Sequence, residues 1–309
     1  MAKRSSFHFK LFGAFLAALA TSPSALAVSH SVSYGLDASD LVDALVGNAG
    51  ITIVGAPTLT GFSGALGNSE VYTSGTFLTT GPNSGIPFNQ GVIMATGDIR
   101  NSFGSNNDVG ISTCIDAPGS VLLESVLGLG NLTHDAVSLS FQFKSATPTI
   151  SLRYMFGSEE YNELFQGEYN DAFAFILQGP GNSIVNLSQV PATTTDVLLS
   201  TVNGSSNSNY FFDNNSGFYD LQYNGLAGSA SSDALYARGN VEVDEIYTLS
   251  IIIADVNDVS FDSALFVEAG SFVAEGFTEG ALPVPEASTL VGGAVLGLIA
   301  AVRLIRNKK

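Results

Sequence analysis

The strongest constraint on the fold is a two-residue alternation of apolar and polar side chains in short runs. Residues 136–143 read AVSLSFQF and residues 149–156 read TISLRYMF, and in both runs nearly every second side chain is large and apolar. Successive side chains of a β-strand point to opposite faces, so this period places the apolar set on one buried face. The two runs therefore predict half-buried strands.

Three more runs extend this pattern. DAFAFIL (171–177) and YTLSIIIADV (247–256) are apolar on both faces, which is typical of strands enclosed between layers, and SALFVEAGSFV (263–273) is a further strand segment. Glycine, serine and asparagine separate the runs, and the polar stretch 203–217 is predicted to be a surface loop. We expect a mainly β fold, an antiparallel jelly-roll-like β-sandwich.

Two segments favour helix instead. Asp37 and Ser39 are good capping residues, an apolar face follows them, and Gly47 comes next, which predicts a helix over residues 38–46. The segment SVLLESVLG (120–128) fits a short helix or a strand equally well.

The N-terminus has the pattern of a secretory signal peptide. Lys3, Arg4 and Lys10 precede or flank the apolar run LFGAFLAALA, and the small residues Ala25 and Ala27 follow it. A basic start, a short apolar stretch and a small-residue site are what signal peptidase recognises. We predict that residues 1–27 are removed and that the exported chain begins at Val28.

The C-terminus carries a second apolar segment. A helix over residues 289–305 would be about 25 Å long, a little short of a hydrocarbon core of ~30 Å, so residues 289–305 are predicted to span the membrane with help from a snorkelling Arg303. Residues 274–282 precede this tail as a linker. The basic residues after the apolar stretch should hold that end in the cytoplasm: Arg303, Arg306, Lys308 and Lys309.

The order of features in residues 283–309 resembles the PEP-CTERM sorting signal of Gram-negative bacteria that make exopolysaccharide. Val284, Pro285 and Glu286 match the start of the usual Val-Pro-Glu-Pro core, and Ala287 stands in place of the last proline. The resemblance implies an exosortase-type sorting enzyme as partner and tethering to the inner membrane during sorting. It then implies a cell-surface or extracellular location, with exopolysaccharide as a possible partner.

Composition excludes several functions. The chain has 28 acidic and 11 basic residues and a net charge of −17, and such a field repels nucleic acid. Cys114 is the only cysteine, so it is either buried or available for an intermolecular bond, burial being the commoner outcome. With one cysteine and three histidines, a Cys/His zinc site is not expected.

Acidic residues crowd between two of the predicted strands, and no basic residue stands among them: Glu159, Glu160, Glu163, Glu168 and Asp171. Residues 157–171 are therefore predicted to be an acidic loop at one end of the sandwich. Asp255, Asp258 and Asp262 follow another buried strand and can reach the same end.

Three interpretations of this acidic set stay open. Ca²⁺ binds carboxylate, amide and carbonyl oxygens, and the candidate ligands are Glu159, Glu160, Asn170, Asp171, Asp255, Asp258 and Asp262. A solvated acidic loop is the second interpretation, with Arg153 near Glu159 or Glu160. The third is a glycoside hydrolase, which needs two carboxylates on opposite sides of one bond, but nothing selects such a pair. We therefore assign no catalytic residue and expect no enzymatic activity.

Four longer phrases together resemble the choice-of-anchor L domain of exported bacterial proteins. They are PFNQGVIMATGDI (87–99), MFGSEEYNELFQGEYNDAFAFILQGPG (155–181), NLSQVP (186–191) and IIIADVNDVSFDSALFVEAGSF (251–272). Tyr223, Asn224 and Gly225 occupy the place where the family usually has an Asp-Gly pair. The resemblance implies one domain over residues 28–273, secretion and surface display, and it supplies no molecular activity.

The expected function is a structural or adhesive one, in the cell envelope or extracellular matrix, with Ca²⁺ as the only candidate cofactor. The alternatives are a secreted carbohydrate-active hydrolase or a lectin-like polysaccharide binder. A lectin-like binder would need exposed aromatic rings beside the acidic loop, for which Tyr210, Phe211 and Phe212 are the candidates.

Overall fold

The computed structural model describes residues 28–277 except 68, 109, 131, 163 and 165–168. The predicted signal peptide, with Ala25 and Ala27, and the predicted sorting tail with its membrane segment at 289–305 lie outside these residues. No helix among the described residues is long and apolar enough to cross a membrane.

The described chain is mainly β. Its strands are β1 (Ser29–Tyr34), β2 (Ile51–Thr60), β3 (Ser63–Leu66), β4 (Ser69–Tyr72), β5 (Ser74–Thr80), β6 (Gln90–Ala95), β7 (Thr133–Ser145), β8 (Thr149–Ser158), β9 (Ala172–Gln178), β10 (Ile184–Asn186), β11 (Phe211–Asp213), β12 (Gly225–Ala227), β13 (Leu235–Asn240), β14 (Tyr247–Val256), β15 (Ser263–Glu268) and β16 (Val273–Ala274). The α-helices of the described part are α1 (Ala38–Leu45) and α2 (Val121–Leu127).

Within the described residues, the strands form two antiparallel sheets and a small hairpin. The larger sheet has the order β1-β5-β6-β15-β8-β12-β11, and β13 and β16 also pair with β8. The smaller sheet has the order β10-β9-β14-β7-β2, and β3 pairs with β4. The two-sheet antiparallel architecture confirms the prediction of a mainly β fold and is consistent with a β-sandwich.

The main core lies between the two sheets. Every second residue of β7, from Val137 to Phe143, belongs to one buried cluster with the alternating residues of β8, from Ile150 to Phe156. The same cluster includes Phe173 and Phe175 of β9. The alternation in the sequence thus marks the faces that the sheets turn towards each other.

The strands that are apolar on both sides are covered on both sides. On the outer face of the smaller sheet, Leu123 of α2 packs with Ala174 of β9 and Ile252 of β14. On the outer face of the larger sheet, Met155 and Phe266 belong to a third buried cluster. The covering by α2 explains why β9 and β14 lack a polar face, and the third cluster buries the outer face of β15 and of the C-terminal half of β8.

Both helices begin with a side-chain cap. Asp37 accepts hydrogen bonds from the backbone N–H groups of Ser39 and Asp40 in a capping box, so α1 begins where the sequence predicts. Ser120 caps α2, and Gly128 ends it in the left-handed conformation at φ 71°. The segment at 120–128 is therefore a helix and not a strand. The predicted loop at 203–217 contains β11 and a short 3₁₀ helix, Ser208–Tyr210.

Candidate functional site: a buried carboxylate cluster

Two crossings between the sheets meet at one end of the sandwich. Residues 159–171 lead from β8 in the larger sheet to β9 in the smaller one, and residues 257–262 lead from β14 back to β15. Ser263, at the start of β15, pairs with Ser158, at the end of β8. Ala254 of β14 likewise pairs with Ala172 of β9. The sequence prediction that both acidic segments reach the same end is therefore confirmed.

Four acidic side chains at this end are almost completely buried, and we call them the carboxylate cluster. The exposed fractions are 0% for Glu160 and Asp171, 1% for Asp255 and 4% for Asp262. Acidic side chains are almost never fully buried unless they are paired. The interpretation of a solvated acidic loop is therefore wrong for these residues and for Glu159, which is 1% exposed.

Main-chain and hydroxyl donors fix the first half of the cluster. Oε2 of Glu160 accepts a hydrogen bond from the backbone N–H of Asp171 at 2.8 Å. The carboxylate of Asp171 accepts one from the hydroxyl of Ser263 at 2.6 Å and one from the backbone N–H of Val256 at 3.3 Å. Because Ser263 and Val256 belong to β15 and β14, Asp171 joins the two crossings.

The second half is fixed by elements that are distant in sequence. Oδ1 of Asp262 accepts a hydrogen bond from the backbone N–H of Thr113 at 2.9 Å. Its Oδ2 lies over Gly97, where a Cβ atom would collide with the carboxylate. Asp255 follows a β-bulge in β14 and is held by the hydroxyl of Thr96. Bulges re-aim side chains in this way next to functional sites.

Each of three cluster members has one buried oxygen without a hydrogen-bond partner among the described residues. These atoms are Oε1 of Glu160, Oδ1 of Asp255 and Oδ2 of Asp262. Buried polar atoms are normally hydrogen-bonded, and an unsatisfied charged atom costs more than a neutral one. The cluster thus has acceptor capacity that the described protein atoms do not use.

Burial raises the pKa of Glu160 and Asp262. The pKa of Glu160 rises to about 7, mainly because burial removes its solvation and further because Asp258 repels its charge. The pKa of Asp262 rises to about 6, again mainly through burial, and the charges of Asp135 and Asp98 add to the rise. Both shifts disfavour the ionised form.

The pKa values of the other two members, Asp171 and Asp255, are raised as well. Burial holds the pKa of Asp171 well above its usual range, and the charges of Asp255 and Glu160 raise it further. Burial also raises the pKa of Asp255, and the charge of Asp262 adds to this effect, whereas the hydrogen bond from Thr96 opposes it. The four carboxylates therefore repel one another across a poorly solvated space.

The remaining candidate Ca²⁺ ligands, Glu159, Asn170 and Asp258, lie at the edge of the carboxylate cluster. Glu159 is buried, and its backbone N–H donates to the carbonyl of Asp262 at 3.3 Å. Asn170 and Asp258 are half-buried, and Oδ1 of Asp258 accepts from the backbone N–H of Ser260 at 3.1 Å. Within the described part of the chain, no three His, Cys, Asp or Glu side chains converge closely enough to form a ready-made metal site.

Arg153 does not neutralise the cluster. Its guanidinium lies 3.7 Å from Glu268 and stacks over the ring of Phe88 at 5.8 Å. The predicted pairing of Arg153 with Glu159 or Glu160 is therefore wrong. Arg153 lies on β8, and the neighbouring strand β15 brings Glu268 beside it instead.

Residues 111–117, which we call the strap, also cover this end, and no pattern in the sequence predicted their position. Asp262 binds it through Thr113, and Asp135 accepts hydrogen bonds from the backbone N–H groups of Ile115 at 3.0 Å and Ala117 at 2.7 Å. Cys114 lies in the strap and is exposed, so the expectation that it is buried is wrong.

Neither the cluster carboxylates nor the three aromatic candidates are exposed side chains. The four cluster carboxylates are at most 4% exposed, which leaves none of them accessible to a polymer. The candidate aromatic platform is half-buried, since Phe211 packs on Tyr161 with ring centroids 4.8 Å apart and Phe212 on Tyr219 at 4.7 Å. Phe218 beside them is 56% exposed.

Comparison with known proteins gives one match. A family model described as the choice-of-anchor L domain matches residues 31–273, which is most of the chain and nearly all of its described part. No curated protein and no solved structure matches.

Proposed function

Since the chain belongs to the choice-of-anchor L family, we propose that it is an exported structural or adhesive protein of the cell envelope or extracellular matrix. Family membership indicates a surface-associated extracellular protein, and the matched region covers both sheets and both sheet crossings. The finer assignment to a structural or adhesive role rests on the carboxylate cluster.

One observation favours a structural over a catalytic role: the acidic side chains are sealed inside the fold. A glycoside hydrolase needs an acid and a base or nucleophile that contact the scissile bond from an open cleft. Glu160, Asp171 and Asp255 are at most 1% exposed and are held by main-chain or hydroxyl donors of the protein itself. Their contacts hold strands together.

The acidic surface restricts the partner. A net charge of −17 repels anionic polymers, so an uncharged or cationic exopolysaccharide is the polymer that this surface would admit. We further propose that signal peptidase and an exosortase-type enzyme process the two ends, at Ala25 and Ala27 and at the motif of Val284, Pro285 and Glu286. The C-terminal helix would tether the chain to the inner membrane until sorting is complete.

Surface display is tested with Cys114, the only cysteine of the chain and an exposed one. Intact producing cells are treated with a maleimide on a polymer too large to enter the envelope, and the full-length gene product is followed by its mass shift. We expect labelling of intact cells that is absent in Cys114→Ser. Labelling that occurs only after lysis would refute surface display.

The structural or adhesive role is tested by binding without turnover. The purified chain is incubated with neutral exopolysaccharide, and both co-sedimentation and the release of reducing ends are measured. We expect retention on the polymer or self-association and no release of reducing ends. Release that disappears in Glu160→Gln and persists in Glu245→Gln, an exposed acidic residue, would support the hydrolase alternative instead.

A further inference from the structure

We propose that the carboxylate cluster is a Ca²⁺ site that locks together the two sheet crossings and the strap. This goes beyond the proposed function, since surface display and adhesion do not require an ion. The carboxylates of Glu160, Asp171, Asp255 and Asp262 supply the negative charge of the site.

Burial makes the negative charge of the cluster unfavourable. Moving an ionised carboxylate out of water is unfavourable unless a partner neutralises it. The charged side chains that perturb the four members are themselves acidic: Glu160, Asp98, Asp135, Asp255, Asp258 and Asp262. Near neutral pH the cluster therefore needs either protons or a bound cation.

Within the cluster, some carboxylate oxygens are held by the protein and others are not. Glu160, Asp255 and Asp262 each use one carboxylate oxygen to accept a hydrogen bond from the protein and leave the other without a partner. Outer donors of this kind orient the ligands of metal sites and fix their rotamers. The three unpartnered oxygens are buried, so bulk water does not satisfy them.

The chemistry of the available ligands favours Ca²⁺ over other cations. The described side chains of the cluster offer oxygen and neither imidazole nor thiolate, which favours a hard cation. Mg²⁺ demands near-octahedral geometry and retains its waters, whereas Ca²⁺ accepts six to eight oxygens in flexible geometry. Ca²⁺ also takes carbonyl oxygens and water, so two carboxylates from different segments suffice where no three described side chains converge as a ready-made site.

A bound ion would connect segments that are distant in the sequence. Glu160 and Asp171 belong to the crossing at 159–171, and Asp255 and Asp262 lie at β14 and the crossing at 257–262. Asp262 in turn holds Thr113 of the strap. A cation bound by one carboxylate from each of these two pairs, with carbonyl oxygens and water as its other ligands, would tie both sheets at one end and, through Asp262, the strap. Its loss would loosen them together.

Protons compete with the ion for the same oxygens. The acidic groups around the four members are Asp258, Asp135 and Asp98, with Glu159 and the phenol of Tyr223 beside Asp262. The basic groups nearby act elsewhere: Arg100 pairs with Asp98, and His134 acts on Asp135. Because binding requires deprotonated carboxylates, Ca²⁺ affinity should rise steadily from pH 5 to pH 8.

The test is thermal unfolding of the full-length chain in mild detergent at pH 7.5, in EDTA and across a Ca²⁺ titration. Ca²⁺ at 100 times its dissociation constant should raise the unfolding midpoint by roughly 5 to 10 °C. Glu160→Gln and Asp262→Asn should lose most of this rise. Their matched controls at exposed positions, Glu245→Gln and Asp43→Asn, should keep it.

A direct measurement covers the case in which a variant fails to fold. Tb³⁺ bound in the cluster of the unmodified chain should show tyrosine-sensitised luminescence, because Tyr223 lies close enough to Asp262 and Glu159 for their charges to raise its pKa. The chain has no tryptophan that could contribute to this signal. Ca²⁺ should displace it, and the signal should be at least tenfold weaker at pH 5 than at pH 8. An unmoved midpoint, or a full rise in both Glu160→Gln and Asp262→Asn, would overturn the proposal. Surface labelling of Cys114 would be unaffected by that result.

Discussion

Two sets of buried carboxylates in this molecule are held in opposite ways. Asp135 is 0% exposed, and both its oxygens accept backbone N–H groups of the strap; Asp98 is 7% exposed and pairs with Arg100. In the carboxylate cluster, by contrast, Glu160 and Asp262 each keep an unpartnered oxygen beside other acids. Burial alone therefore does not suggest a binding site, and it is the unused acceptor capacity of the cluster that motivates the proposed Ca²⁺ site.

The two sets of carboxylates should affect the stability of the fold differently. Asp98 and Asp135 fix the local chain and should contribute to stability whether or not Ca²⁺ is present. The cluster opposes folding when it is ionised and unoccupied, and it should contribute to stability only when protons or a cation neutralise it. The following experiments separate these two behaviours.

The largest effect is expected for Asp135→Ala. The substitution leaves the buried N–H of Ile115 and the part-buried N–H of Ala117 without an acceptor, and each hydrogen bond to a charged group is worth about 1.5–3 kcal/mol. Asp135 also has a left-handed φ of 48°, which alanine disfavours. We expect a loss of about 3–5 kcal/mol in chemical denaturation, equal in EDTA and in Ca²⁺. A loss confined to one of the two conditions would place Asp135 in the cation site.

The next effect is the pH dependence of stability without Ca²⁺. The folded-state pKa of Glu160, about 7, exceeds its ordinary value of 4.5, so the folded chain binds more protons than the unfolded chain in this window. The stabilising proton is present below about pH 4.5 and is lost as pH rises through about 7. Stability in EDTA should therefore fall by on the order of 3 kcal/mol across that range. Stability that rises between about pH 4.5 and pH 7 would contradict the raised pKa of the buried Glu160.

Saturating Ca²⁺ should flatten this profile. The ion replaces the protons at neutral pH, so the unfolding free energies at pH 5 and pH 7.5 should converge when Ca²⁺ is present and diverge in EDTA. Identical profiles in the two conditions would show that the ion does not act on the cluster.

A smaller effect, of opposite sign in the two sets, is expected for neutral isosteres at pH 8 in EDTA. Asp262→Asn removes a repelled charge and retains an oxygen for the N–H of Thr113, so it should stabilise the chain by about 1–2 kcal/mol. Asp98→Asn weakens the pairing with Arg100 and should destabilise it by about 1–2 kcal/mol. Both variants are compared by urea denaturation, and the same sign for both would remove the distinction between the sets.

The smallest effect is expected for Arg153→Gln. Arg153 and Glu268 are about a quarter to a third exposed and 3.7 Å apart, and such pairs contribute about 0–1 kcal/mol. Thermal unfolding should shift little and should keep its full response to Ca²⁺. A lost response would show that Arg153 acts on the cluster after all.

The sequence predicted much of the framework because the framework depends on local patterns. The alternation in β7 and β8 and the cap at Asp37 each lie within a few residues. The grouping of the two acidic segments was also predictable, since both follow buried strands. The sequence left α2 undecided because its apolar residues suit either period.

The burial of the cluster was not predictable, because distant segments produce it. Asp262 depends on Thr113, 149 residues away, and Asp171 depends on Ser263, 92 residues away. Gly97 provides the space for Asp262 without any local pattern that announces it. The exposure of Cys114 follows from the same strap, which crosses the end of the sandwich and lies outside regular structure.

The central claim, that the buried carboxylates exchange protons for Ca²⁺, is tested most directly by proton release. Ca²⁺ is added to the unbuffered full-length chain in detergent at pH 6 and at pH 9, and bound ion and released protons are counted together. At pH 6, with the pKa of Glu160 at about 7 and that of Asp262 at about 6, we expect about one proton or more per ion, and distinctly fewer at pH 9. Ca²⁺ binding without proton release at pH 6, or no binding at either pH, would contradict the account.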